Sequence, residues 1–227
     1  MQLQDLKSQL TLVFPVRIDC EERRENLRVV LRQLDGLGCR MLVLEADAVP
    51  ALGEEAWPDG VEYTFVEDAS KVFHRTRYIN ELLRMAGTEV VGVWDTDVLV
   101  GYAQIGEAVQ RILEGCTIAY PYNGQFVMLS EQMSVHTRKK PDLEYLRSMR
   151  LNSFFGRRLF GGAYLVHRQR YFQCGGENER FIGWSPEDAE RMHSDTRWHG
   201  LRVGNSITCI IPVVRVPVTS RKTMQTG

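Results

Sequence analysis

Asp95 and Asp97 stand one residue apart, directly after the apolar run Val90 to Trp94. At the carboxyl end of a buried strand, such a pair can hold a divalent cation against a diphosphate, and hard oxygen ligands suit Mg2+ or Mn2+. A cation there would offset negative charge on a departing nucleoside diphosphate. The plainer alternative is a solvated turn at a strand end. Trp94 beside it reads as core rather than as a stacking surface.

Three further clusters carry chemistry. Pro15-Val16-Arg17-Ile18-Asp19 closes another apolar run, where charged groups could grip a base, a ribose or a phosphate; the alternative is an Asp19 helix cap beside a solvated Arg17. Phe73-His74-Arg75-Thr76-Arg77, with Asn80 following, opens a helical pattern, so arginines and a helix N-terminus could face one anion, or form a basic surface turn. Gly183-Trp184-Ser185-Pro186-Glu187-Asp188 places Ser185 as a cap, Pro186 at the first helical position and two acids in the first turn. Those acids either complement the helix dipole or supply a base for an acceptor hydroxyl beside an indole that packs on a sugar. Gly161-Gly162 and Gly175-Gly176 permit tight turns or close ligand approach.

The elements that must position these residues follow from periodicity. Strands are expected at Leu10 to Val16, Arg40 to Glu45, Val61 to Val66, Thr88 to Trp94 and Thr117 to Tyr120. Between them, Glu21 to Leu37, Arg77 to Met85 and Gly106 to Leu113 show helical spacing, with Asp19 as the cap of the first. This alternation over 10–120 predicts parallel βαβ units with right-handed crossovers in a doubly wound α/β sheet, with ligands beyond the strand carboxyl ends. Beyond it, Ser130 to Tyr145 reads as a polar surface loop or helix, Phe160 to His167 as a strand, Pro186 to His199 as a helix and Ser206 to Val218 as a β-rich tail.

Composition narrows the function classes. The 227 residues are 44% hydrophobic and 25% charged, as in globular proteins. The net charge of −1 lacks the basic excess of a nucleic-acid binder. No apolar run approaches membrane-helix length, and Met1 to Leu10 has no signal-peptide core, so a cytoplasmic protein is expected, with room for peripheral attachment at the inner membrane face. Five cysteines without a CxxC pair read as reduced structural thiols rather than a disulfide framework or a zinc site.

Taken in order over roughly residues 10–205, the motifs resemble the metal-dependent GT-A glycosyltransferases. More narrowly they look like the β-1,4-galactosyltransferase type, and like bacterial family 2 relatives of capsule and surface polysaccharide synthesis. Pro15-Val16-Arg17 matches that family's P-x-R segment, and Phe73, Arg75 and Asn80 its F-x-R-x-x-x-x-N segment. Asp95 and Asp97 match its D-x-D, and Phe160-Gly161-Gly162 its F-G-G. Gly175, Gly176, Asn178, Glu179, Phe181, Gly183, Trp184, Glu187 and Asp188 match its long G-G-x-N-E-x-[FY]-x-G-W-x-x-E-D stretch.

The resemblance implies a GT-A fold with a mostly parallel central sheet and flanking helices. One domain spans 1–227, with a nucleotide-binding half at 10–120 and an acceptor-binding half at 121–227. It implies an inverting hexosyltransferase, galactose favoured, acting between a UDP-sugar and a saccharide acceptor. Asp188 is then the general base, and Glu187 helps to bind the acceptor. Pro15, Arg17, Asp19, Phe73, Arg75, Asp95, Gly161, Gly162 and Trp184 hold the donor, and Asp95 and Asp97 hold Mn2+ or Mg2+.

The family completes its metal site with a downstream histidine, whereas Ile210 to Arg221 contains none, and His193 and His199 come early. The C-terminal acceptor part reads as abbreviated. These departures keep open a sugar-nucleotide-binding scaffold without turnover. A nucleotidyltransferase is the other alternative, although PVRIDCEERR lacks the glycines of a phosphate loop.

Overall fold

The computed structural model describes residues 3–149, 161–181, 187–188, 202–203 and 208–210, with the backbone alone at 3–5, 147, 202–203 and 208–210. The chain enters through helix α1 (Leu3–Gln9), strand β1 (Leu10–Val16), α2 (Glu21–Asp35), β2 (Arg40–Asp47), β3 (Val61–Glu67), α3 (Arg75–Met85) and β4 (Val90–Trp94). It continues through β5 (Val98–Leu99), α4 (Tyr102–Leu113), β6 (Ile118–Tyr120), β7 (Phe126–Met128), α5 (Glu131–Lys139), α6 (Leu143–Ser148), β8 (Ala163–His167) and α7 (Arg168–Gln173). Two short strands follow, β9 (Arg202–Val203) and β10 (Thr208–Ile210).

Seven strands form one sheet in the order β3-β2-β1-β4-β8-β6-β9, and β5-β10-β7 form a second, small sheet. In the large sheet, β1 pairs in parallel with β2 and β4, and β2 with β3. β8 runs antiparallel between β4 and β6. The sheet is therefore mostly parallel, as periodicity predicts for its first half, with one reversed strand that periodicity does not reveal. Every residue of β1, β4 and β8 is buried, which explains their nearly unbroken apolar runs.

Pro15 tolerates its place in a central strand because the β1–β4 ladder ends at Val13↔Val93. The strand then runs one residue beyond the proline. On α2, Leu27, Val30, Leu31 and Leu34 face the core, and Ile79, Leu82 and Leu83 do so on α3. The reading of Asp19 as cap of α2 is overturned: Cys20 occupies the cap position with no side-chain cap bond, and Asp19 instead accepts from Arg23 Nε at 2.7 Å. The polar stretch from Ser130 is helical rather than looped, in two pieces, because Ser130 and Asp142 each cap a short helix. Cys20, Cys39, Cys116 and Cys174 are free thiols.

Candidate active site

The aspartates sit where β4 meets the reversed strand. Trp94 is fully buried, and its indole donates to the Val98 carbonyl at 3.1 Å, closing the turn that carries Asp95 and Asp97. The Asp95 amide donates to the Gly162 carbonyl at 2.7 Å, which ties that turn to the start of β8. The antiparallel pairing Trp94↔Ala163 thus sets the diglycine against the aspartates.

Helix α3 begins at Arg75 and aims that side chain inward. Its Nη2 donates to Asp95 Oδ1 at 2.5 Å, and its Nη1 lies 3.9 Å from Glu187 Oε1. Glu187 is buried at 6% exposure, so the guanidinium joins a strand-end acid to an acid of the distant W-x-x-E-D segment. Arg23, in the first turn of α2, brings a second guanidinium. Although burial pushes the Asp19 carboxyl up, the hydrogen bond and charge of Arg23 outweigh it and leave Asp19 below its ordinary range. Asp97 keeps part of its surface open but is crowded by protein atoms. Burial first, and then the charge of Asp95, push its carboxyl up to about 7, against the pull of Arg23 and Arg75.

Asp188 lies against the diglycine. Gly161 has φ 146° and Gly162 φ 72°, both in the region that favours glycine. A Cβ on Gly161 would stand 2.9 Å from Asp188 Cγ, so the carboxylate fills the space that the missing side chain leaves. A Cβ on Gly162 would meet Val98 Cγ2 at 2.9 Å and Asp95 Oδ2 at 3.9 Å. The Tyr122 hydroxyl donates to the Gly161 carbonyl and accepts from the Gly161 amide at 2.9 Å. Burial, then the neighbouring Tyr120, hold the Tyr122 phenol well above its usual range, so it stays protonated as both donor and acceptor.

Arg17 is not solvated. Its Nε donates to the Ala46 carbonyl at 2.8 Å, Nη1 to Ser70 at 2.9 Å and Nη2 to Asp68 at 3.2 Å. Its guanidinium lies 5.4 Å from the Phe73 ring centroid, and Phe73 stacks on Tyr78 at 5.5 Å. The arginine therefore knits the ends of β2 and β3 together. Asn80 is buried, and both ends of its amide face the glycine-rich loop. Nδ2 donates to the Glu177 carbonyl at 3.0 Å and Glu179 Oε1 at 2.8 Å, and Oδ1 accepts from the Glu177 amide at 2.9 Å. In this arrangement Asn80 positions the loop that leads to Glu187 rather than facing a nucleotide.

The architecture can be compared with known proteins. No protein-family model matches the chain, and no curated protein matches its sequence. Solved structures do match. Glucosyl-3-phosphoglycerate synthase from Mycobacterium tuberculosis, in complex with Mn2+, UDP-glucose and phosphoglyceric acid, is 13% identical, with a TM-score of 0.56 over 93% of this chain and 76% of that one. S. aureus TarS, residues 1–349, is 9% identical, with a TM-score of 0.57 over 89% of this chain and 60% of that one. The catalytic domain of Drosophila β1,4-galactosyltransferase 7 superposes more loosely, at 16% identity and a TM-score of 0.48 over 87% of this chain and 64% of that one. The chain has the GT-A fold.

Within this GT-A chain, Arg75, Asp95, Asp97, Gly161, Gly162, Glu187 and Asp188 come together, and Asp19 joins them through Arg23. Arg17 and Phe73 form a second group at the ends of β2 and β3. Trp184, Gly183, Phe160, His193 and His199 lie outside the described residues. Three participants escape a reading of motifs. Arg23 looks like one charge among many on α2, Tyr122 has no motif of its own, and Glu177 occupies a variable position of the G-G-x-N-E stretch. Glu177 is buried and accepts from Tyr164 and Tyr171 at 2.5 and 2.6 Å.

The donor set suits a hard cation. Asp95 and Asp97 supply carboxylate oxygens, and the upward push on Asp97 marks a place where negative charge wants compensation. No group of three or more His, Cys, Asp or Glu that could hold a metal occurs among the described residues. One or two carboxylates with the remaining positions taken by substrate phosphates is a normal arrangement for Mg2+.

Proposed function

We propose that this chain is an inverting glycosyltransferase that moves a hexose, galactose favoured, from a UDP-sugar to a saccharide acceptor. The observation that carries the proposal is the meeting of Asp95, Arg75 and Glu187, with Asp188 set against the diglycine beside them. A carboxylate, a cation-holding pair and a guanidinium converge from both halves of the chain.

In this reading Pro15, Arg17 and Phe73 receive uracil and ribose, with Asp19 and Trp184 completing the donor surface. Arg75 and the aspartates face the diphosphate. Asp188 accepts the proton of the acceptor hydroxyl, and that oxygen attacks the anomeric carbon from the face opposite UDP, so configuration inverts. The C–O bond to the diphosphate breaks, and its electron pair leaves with UDP beside Arg75. Glu187 orients the acceptor and is itself held by Arg75. A cation held by Asp95 and Asp97, Mn2+ or Mg2+, would supply charge neutralisation at the departing diphosphate. The chain works as one domain, with donor recognition in 10–120 and acceptor recognition in 121–227. A cytoplasmic location, with room for peripheral attachment at the inner membrane face, belongs to the same reading; among the described residues no helix is long and apolar enough to cross a membrane. Synthesis of a surface polysaccharide is the pathway class that the motif resemblance favours. The fold shared with the M. tuberculosis synthase, solved with UDP-glucose and Mn2+, supports this donor class.

Thermal stabilisation by UDP and a panel of UDP-hexoses, each with Mn2+ and with chelator, tests the proposal. A ligand at 100 times its Kd adds about 2.7 kcal/mol. The expected shift needs UDP-sugar and metal together, and Asp97→Ala abolishes this metal-dependent binding. Slow donor hydrolysis separates an enzyme from a scaffold that binds without turnover. No shift with any nucleotide would overturn the proposal.

A further inference from the structure

Helix α2 leads away from the aspartates to a second feature, a cavity of about 790 Å3 between α2, α5 and the 48–60 loop that joins β2 to β3. Its volume is that of a small-ligand site. Its described lining includes none of Asp95, Asp97, Arg75 or Glu187. Arg23 in the first turn of α2 serves the aspartate site, whereas Arg28 and Arg32 lie roughly 8 and 14 Å further along the helix axis.

The walls are held in place. Glu45 is fully buried in β2 and accepts from the Ala51 amide at 2.9 Å, the Leu52 amide at 3.1 Å and the Tyr63 hydroxyl at 2.6 Å, which pins the start of the loop. Tyr63 stacks on Trp57 with ring centroids 6.0 Å apart. Arg28 makes a two-point pair with Glu55, at 2.8 and 2.5 Å. On the facing wall, Arg138 Nε donates to the buried Asn26 Oδ1 at 2.8 Å, and Arg32 Nη2 donates to the Arg138 carbonyl at 3.2 Å. Loop, α2 and α5 are thus cross-linked around the opening.

The chemistry of the lining selects a ligand. Trp57 supplies a flat amphipathic surface for the C–H face of a pyranose. The Arg28–Glu55 pair offers a donor beside an acceptor, which matches neighbouring hydroxyls. Arg28, Arg32, Arg138 and Lys139 outnumber Glu25 and Glu55, although the chain as a whole carries −1. We propose that this cavity is a second saccharide site, separate from the aspartates, for a sugar that bears a uronate or phosphate charge. Arg32 and Lys139, both exposed at its mouth, read the charge, and Trp57 reads the ring.

The chain has four tryptophans, so the indole N–H signals of 15N-tryptophan-labelled protein are few, and Trp57→Phe assigns the relevant one. Glucuronic acid, glucose 6-phosphate, glucose and inorganic phosphate are titrated in turn, with and without UDP and Mn2+. The Trp57 signal is expected to move saturably with the two charged sugars, little with glucose or phosphate, and equally with UDP and Mn2+ present. The tighter of the charged sugars names the source of the charge. Arg32→Glu with Lys139→Glu should raise the apparent Kd about tenfold or more. The proposal is overturned by a Trp57 signal that stays still, by glucose or phosphate acting as strongly as the charged sugars, by loss of the shift when UDP and Mn2+ are added, or by an affinity indifferent to the charge reversals. None of these outcomes depends on whether the aspartate site turns over.

Discussion

Arg75 donates to Asp95 at 2.5 Å while also facing Glu187 at 3.9 Å, so one guanidinium spans the strand-end turn and the acidic segment near the C-terminal end of the described chain. Asp95 keeps 38% of its side-chain surface exposed, so water can replace much of what the arginine gives it. Arg75→Ala should therefore lose little through Asp95, and about 1–2 kcal/mol in all, because the buried Glu187 also loses a guanidinium 3.9 Å away. Its effect on donor cleavage should be far larger, about 10²-fold, because the charge opposes a growing anion in a preorganised site. Melting and UDP-sugar hydrolysis on the same sample decide it: a large fall in melting temperature with hydrolysis intact would make Arg75 a structural residue only.

Asp188→Asn keeps the shape of the side chain and removes its basicity. Transfer should fall about 10²- to 10⁴-fold while UDP affinity stays within a factor of a few. Near-normal transfer would remove Asp188 from the role of base.

Gly161→Ala places a methyl group where the Asp188 carboxylate now sits, on a backbone with φ 146°. The carboxylate must move, so transfer should drop at least tenfold, with UDP affinity spared, because Gly161 sits on the Asp188 side of the site. Gly162→Ala meets Val98 instead and should cost stability more than turnover. Equal behaviour of the two variants in both assays would contradict this division.

Acid should weaken the fold at Asp68. The hydrogen bond from Ser70 first, then that from Tyr78 at 2.6 Å and the charge of Arg17, hold its carboxyl well below the usual carboxylate range. In the unfolded chain it titrates near pH 4, roughly. The folded state binds fewer protons in this range, so the contribution is complete above about pH 5 and is lost as pH falls toward the depressed folded value. Asp68→Asn removes that dependence. The gap in melting temperature between native protein and variant should narrow from about pH 7 to about pH 3, and a gap that widens would reverse the assignment.

Much of the frame was legible because it rests on local periodicity. Leu10–Val16 is apolar but for the buried Thr11, since both faces of β1 are covered, and the run of β4 is continuous for the same reason. α1 escaped notice because its single described core contact, Leu6, gives no period to read. The cap of α2 was misassigned because Asp19 has a competing partner, Arg23, one turn along the helix. The tie between Asn80 and Glu177 was invisible because neither residue type announces its partner.

By itself the sequence determined the alternating elements of residues 10–120, the acids at the end of β4, and the order of motifs that resembles GT-A enzymes. Each depends on neighbours in the chain, through side-chain period or short spacing. Only the tertiary structure decided that β8 runs antiparallel beside β4, which brings Gly161 and Gly162 to Asp95 and sets Asp188 against them. It alone decided that Arg17 serves three carbonyls and that Arg23, paired with Asp19, lies close enough for its charge to act on Asp97. Strand direction and the partners of long charged side chains depend on which segments meet across the sheet, and local pattern carries no record of that meeting.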